Sequence, residues 1–130
     1  GIAQIRTGLS NKIVLGNLDA KRDWGYAPDY VEAMWLMLQQ KKPDDFVIGT
    51  GKEHSVEDFA KKAFAHVGLN YRDYIISDKN LFRPAEVDTL LADSSKAKKI
   101  LKWEPKISFD DLVINMVEHD LEHVNDSNLF

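Results

Sequence analysis

The sequence holds no cysteine, which removes disulfide bridges, thiol catalysis and cysteine-ligated zinc and fits a reducing, cytoplasmic setting. It has no apolar run near the length of a membrane span, and no charged-then-apolar signal segment opens it. Positive charge does not predominate, with 17 Lys and Arg against 21 Asp and Glu. The net charge of -4 leaves no global basic field, which argues against sequence-independent nucleic-acid binding. Glycine-rich phosphate loops are missing as well. Gly49-Thr50-Gly51 lacks the third glycine of a dinucleotide fingerprint, and Gly51-Lys52-Glu53 lacks the hydroxyl of a P-loop, so this segment reads as a plain strand-to-helix turn. Tyr26, Tyr30, Tyr71 and Tyr74 have no lysine four positions on. The chain opens Gly1-Ile2-Ala3 rather than with methionine, which points to a processed product, an engineered form or a piece of a longer protein.

What is present is the composition of a soluble globular domain: 130 residues, 44% hydrophobic and 29% charged, enough to bury roughly two thirds of the unfolded surface. Ile2, Ile5 and Leu9 have helical spacing, with a stop near Ser10-Asn11. Ile13-Val14-Leu15 reads as a buried strand turning at Gly16-Asn17. Pro28 fits a first helical turn, with Asp29 and Glu32 beside it. Val31, Met34, Trp35 and Leu38 then form the apolar stripe of a helix ending near Gln40. Phe46-Val47-Ile48 reads as a second strand. Ser55 with Asp58 resembles a capping box. It opens a helix with Val56, Phe59, Ala60, Ala63, Phe64 and Val67 on one face, and Gly68 caps its end. Tyr74-Ile75-Ile76 is a third strand candidate, followed by a loop from Ser77 to Leu91. A short helix runs from Ser94 to Leu101 and breaks at Trp103-Glu104-Pro105. Ser108 with Asp111 caps a last helix striped by Leu112, Val113, Met116, Val117, Leu121 and Val124. Residues 125–130 read as a frayed tail. Alternating strands and helices predict an α/β fold with parallel pairing, but three short strands make a thin sheet with exposed edges.

Two segments carry candidate binding chemistry. The turn Lys21 to Tyr26 feeds a helix, and Arg22 there offers a planar, permanently charged fork for phosphate or carboxylate. The competing assignment is a surface ion pair with Asp19 or Asp23. The second segment is Arg83-Pro84-Ala85-Glu86-Val87-Asp88, where proline stiffens the backbone after the arginine. Such an arginine and carboxylate suit a phosphate and a sugar hydroxyl of one nucleotide, or else pair with each other. His119 and His123 are one helical turn apart on a polar face with no evident third metal ligand. His54 and His66 have no visible catalytic partner. Ser55, Ser94 and Ser108 are explained by capping, and Trp24, Trp35 and Trp103 by packing.

Read together, Leu15 to Gly25, Asp29 to Trp35, Phe46-Val47-Ile48 with Gly51, His54-Ser55-Val56 and Arg83 to Asp88 closely resemble the carboxyl-terminal part of the GDP-mannose 4,6-dehydratase family. Lys96-Ala97-Lys98, the Trp103-x-Pro105 turn and the last helix continue the likeness. The resemblance implies an extended short-chain dehydrogenase/reductase of Rossmann fold, of which this chain is the substrate-binding part, with few short strands and about four helices. It implies that residues 1–124 bind the nucleotide sugar and that Phe46-Val47-Ile48 joins a Rossmann sheet outside the chain. It implies an NADP-dependent lyase of GDP-fucose biosynthesis acting on GDP-mannose, homo-oligomeric at full length, with cofactor and catalytic residues in the amino-terminal part. By motif, Arg22 and Arg83 clamp the diphosphate, Glu86 accepts a ribose hydroxyl and Asn17 lies near the guanine. Pro28 stands where the family commonly has a charged residue, and Ala92 where it commonly has glycine. Two further readings are a non-catalytic module that binds guanine nucleotide, and a sister sugar-nucleotide epimerase or reductase.

Overall fold

The computed structural model describes residues 1–83, 85, 87 and 89–125. The chain forms two compact units: Gly1–Ala20, Ser55–Val87 and Val113–Phe130 make the first, and Lys21–His54 with Asp88–Leu112 the second. The described elements are α1 (Ile2–Arg6), β1 (Ile13–Leu15), β2 (Lys21–Arg22), α2 (Ala27–Leu38), β3 (His54–Ser55), α3 (Val56–His66), β4 (Ile75–Ser77), α4 (Ser95–Leu101) and α5 (Phe109–His123).

In the first unit β1 pairs with β4 in parallel, with Ile13 opposite Ile75 and Leu15 opposite Ser77. The third strand thus starts at Ile75 rather than Tyr74, because Tyr74 closes a short 3-10 turn over Tyr71–Asp73. Instead, the Tyr74 ring stacks on buried Phe64 at 5.6 Å. The capping box of α3 is present in full: the Ser55 hydroxyl accepts from Asp58 N–H, and the Asp58 carboxylate accepts from Ser55 N–H, both at 3.0 Å. Ala60, Ala63 and Phe64 bury the predicted face, and Gly68 follows with a left-handed φ of 73°. Helix α1 stops at Arg6, earlier than its apolar spacing predicts. Gly8 takes a φ of 77°, which leaves Leu9 exposed. Val113, Val117 and Val124 are buried as predicted, whereas Met116 faces solvent, and Leu112, which falls in the second unit, is buried too.

The second unit is built on Trp103, only 2% exposed, with Ala33, Ala97 and Leu101. Tyr30, Leu36, Met37, Phe46 and Ile48 pack around them. Small side chains at 33 and 97 let α2 approach α4 closely. The Trp103 indole N–H donates to the Asp29 carbonyl at 2.8 Å, and the buried Asp29 carboxylate accepts from Lys106 and Ile107 N–H at 2.9 and 3.1 Å. Trp103→Ala should therefore cost about 3–5 kcal/mol in chemical denaturation, and Trp103→Phe, which loses the indole hydrogen bond and part of the buried ring, about 1.5–3 kcal/mol.

The apolar stripe of α2 is exposed in this unit: Val31, Met34, Trp35 and Leu38 are 59–82% exposed. Periodicity located a continuous apolar stripe correctly, but the close approach of Ala33 and the buried Asp29 turn the opposite side of the helix to this unit's core. Trp35 is accordingly no packing anchor here. Phe46-Val47-Ile48 forms no ladder among the described residues, since its backbone has no strand beside it to pair with. Its side chains still alternate, with Phe46 and Ile48 against the Trp103 cluster and Val47 exposed. Ser94 makes no side-chain cap; Asp93 accepts from Ser95 N–H at 3.0 Å in its place. Residues 126–130 of the predicted tail lie outside the described residues.

Candidate functional site

In the first unit two loops meet at the ends of the β1–β4 pair. Asp78 N–H donates to the Leu15 carbonyl at 2.8 Å, and the Ser77 hydroxyl donates to the Gly16 carbonyl at 3.0 Å. Gly16 has to be glycine, since a Cβ there would lie 2.8 Å from the Leu81 carbonyl oxygen. Asn17, half-buried at the tip, accepts from Asp19 N–H through Oδ1 at 3.0 Å, an Asx turn that fixes the loop. Arg83 is exposed on the chain segment just beyond Leu81. The fold thus brings the Gly16 turn against Leu81, two residues before Arg83. Glu86 lies outside the described residues.

Arg22 belongs to the second unit. Its backbone is in β2, beside β3, and its Nη1 donates to the Lys21 carbonyl at 2.5 Å. The neighbouring Asp23, in sequence only a candidate ion-pair partner of Arg22, gathers a hydrogen-bond network. Its carboxylate accepts from Thr50 N–H at 2.9 Å, the Thr50 hydroxyl at 2.5 Å, Gly51 N–H at 2.9 Å and Ala92 N–H at 3.3 Å. Partial burial pushes the Asp23 pKa up, but the hydrogen bonds from Thr50, Gly51 and Ala92 prevail and hold it below the ordinary 3.8. Gly49 is packed so closely on the Ala92 methyl and the Asp23 carboxylate that it has no room for a side chain. Gly49→Ala should therefore destabilise the protein by about 1–3 kcal/mol, and Ala92→Gly in the same protein should recover most of that loss in thermal unfolding.

A depressed folded-state pKa stabilises the fold fully above the unfolded value and ceases to do so as pH falls through the lower folded one. Wild type should consequently lose stability below about pH 4, through protonation of Asp23 among other carboxylates. Asp23→Asn should lack that increment when acid unfolding curves of the two proteins are compared.

Beside this network a cleft is lined by Trp24, Thr50, Lys52, His54 and Phe109. His54 stacks on Phe109 at 3.7 Å, and Trp24 on the same ring at 5.8 Å, so these rings form a packed platform. The His119 and His123 rings lie 4.3 Å apart, His66 pairs with Glu118, and no group of three or more metal-ligating side chains gathers among the described residues.

The family model described as GDP-mannose 4,6 dehydratase matches residues 1–116. This chain belongs to that family. It is 55% identical over 121 residues to GDP-mannose 4,6 dehydratase 2 of Arabidopsis thaliana, covering 93% of this chain and 32% of that protein. It is 46% identical over 138 residues to GDP-mannose 4,6 dehydratase of Homo sapiens, covering 93% and 37%. The chain therefore spans about a third of the length of these dehydratases. Among solved structures, RMD from Pseudomonas aeruginosa complexed with NADPH superposes with a TM-score of 0.83 at 18% identity, covering 94% of this chain and 40% of that one. The fold is that of a Rossmann-type extended short-chain dehydrogenase/reductase, here a mixed α/β portion with five α-helices among the described residues where about four were expected. No helix among the described residues is long and apolar enough to cross a membrane.

Proposed function

We propose that residues 1–124 are the nucleotide-sugar-binding portion of an NADP-dependent GDP-mannose 4,6-dehydratase, a cytoplasmic homo-oligomer that converts GDP-mannose to GDP-4-keto-6-deoxy-mannose. The observation that carries this reading is the family match over residues 1–116. Arg22 and Arg83 bind the diphosphate, because two guanidinium forks satisfy its clustered anionic oxygens better than ammonium groups do. Glu86 accepts a hydrogen bond from a ribose hydroxyl, and the Asn17 turn borders the guanine. NADP, whose nicotinamide would supply the internal hydride cycling, is assigned to residues outside these 130, which hold neither a glycine-rich loop nor a Tyr-x-x-x-Lys pair.

The exposed face of α2 and the extended Phe46–Ile48 segment complete the picture. Four large apolar side chains at i, i+3, i+4 and i+7 are left uncovered in a chain a third of its relatives' length. We assign that face to the remainder of the full-length enzyme, whose Rossmann sheet would also pair with Phe46–Ile48. Incubating the full-length protein with GDP-mannose and catalytic NADP should release a 4-keto-6-deoxy sugar nucleotide with no net use of NADPH. An isomeric sugar nucleotide, or stoichiometric NADPH oxidation, would instead identify an epimerase or a reductase.

A further inference from the structure

We propose that Asp23 is a positioning residue for the substrate diphosphate, acting through Arg22. The inference rests on Arg22 being a diphosphate ligand, as proposed above. Asp23 does not itself present a group to an anion: its charge is negative, and its carboxylate is committed to Thr50, Gly51 and Ala92. What it does is hold the chain. Its four hydrogen bonds tie the residue after Arg22 to two separate segments, 50–51 and 92, while β2 fixes the backbone of Arg22 itself beside β3.

An arginine side chain loses a large amount of rotamer and backbone freedom when it grips a ligand. Fixing its backbone in advance removes part of that cost from the binding event. The Gly49 contact makes the same point from packing. The Ala92 methyl and the Asp23 carboxylate both close on Gly49, so the network has one compact arrangement. The Thr50 hydroxyl strengthens it by donating to Asp23 while accepting from Lys52 N–H at 3.2 Å. A bare surface ion pair would show none of this convergence of backbone donors.

The test is a double-mutant cycle on the full-length enzyme, reading GDP affinity by calorimetry, with NADPH affinity and thermal unfolding measured alongside. Arg22→Ala sets the reference. Asp23→Asn should weaken GDP binding about tenfold, the loss expected when a charge-assisted network is broken, with NADPH affinity unchanged. In the Arg22→Ala background the same substitution should change GDP affinity less than about twofold, because its effect runs through the missing guanidinium. Thr50→Val keeps the branched shape, removes only the hydroxyl, and should weaken GDP about threefold. It carries the test if Asp23→Asn does not fold. Equal weakening with and without Arg22 would overturn the proposal, as would GDP affinity at wild-type level in both the Asp23 and Thr50 variants. An unchanged affinity in Arg22→Ala would overturn the reading of the site, and the proposal with it.

Discussion

Replacing Arg22 by alanine in the full-length enzyme should raise the dissociation constant for GDP-mannose about ten- to a hundredfold, the equivalent of about 1.5–3 kcal/mol for one charge-assisted contact. Arg83→Ala should do the same, and thermal stability should change little in either case. The magnitudes separate two roles for each side chain. An exposed arginine engaged only in a surface ion pair contributes roughly 0–1 kcal/mol to stability and nothing to ligand affinity. A diphosphate ligand leaves the fold intact and is missed only when the nucleotide arrives. Arg22→Lys should recover only part of the loss, because a single ammonium cannot reproduce two parallel N–H donors. Calorimetry with GDP-mannose on wild type and the three variants checks all of this. Wild-type affinity in both alanine variants would exclude the clamp.

The second large effect concerns the outer face of α2. Trp35→Asp and Leu38→Asp should each destabilise the full-length enzyme by about 2–5 kcal/mol in denaturant unfolding, since each puts a carboxylate on a face assigned to burial. Surface positions tolerate such changes within about 0.5 kcal/mol, so the outcome is easily read. Trp35 is 60% and Leu38 82% exposed in this chain. A change near zero in the full-length protein would show that nothing covers the stripe.

Those two side chains also show which part of the fold is legible in the sequence. The stripe Val31, Met34, Trp35 and Leu38 was legible as the apolar face of a helix, because hydrophobic spacing follows helical geometry whatever covers it. Its direction was not legible, because spacing does not say which partner a face meets. Ala33, too small to register as a core anchor, is what packs on Ala97 and Trp103. The capping box at Ser55 and Asp58 was read correctly because both of its partners lie within four residues of each other. The same locality misled at Ser94, where Asp93 one position earlier takes the N–H. Phe46-Val47-Ile48 was read as a strand, and its alternation is visible, but a ladder needs a second strand that these residues do not supply.

The binding segments show the same division. The Gly16-Asn17 turn and the Arg83 segment are legible locally, and the parallel register of β1 and β4 carries the chain after Ser77 past Gly16. Asp23 did not stand out as a structural tie, because its partners Thr50 and Ala92 lie 27 and 69 residues away. A faint signal existed in the Gly49-Thr50-Gly51 turn. It has too few glycines for a cofactor loop, yet its backbone N–H groups needed an acceptor from somewhere.

The claim that this portion of the chain grips the nucleotide sugar is tested most directly by hydrogen–deuterium exchange of the full-length enzyme with and without GDP-mannose. The account predicts slowed exchange over residues 15–18, 21–26 and 81–87, weakened by Arg22→Ala and Arg83→Ala. Protection confined to other parts of the enzyme, with these three segments exchanging as they do in the free protein, would contradict it.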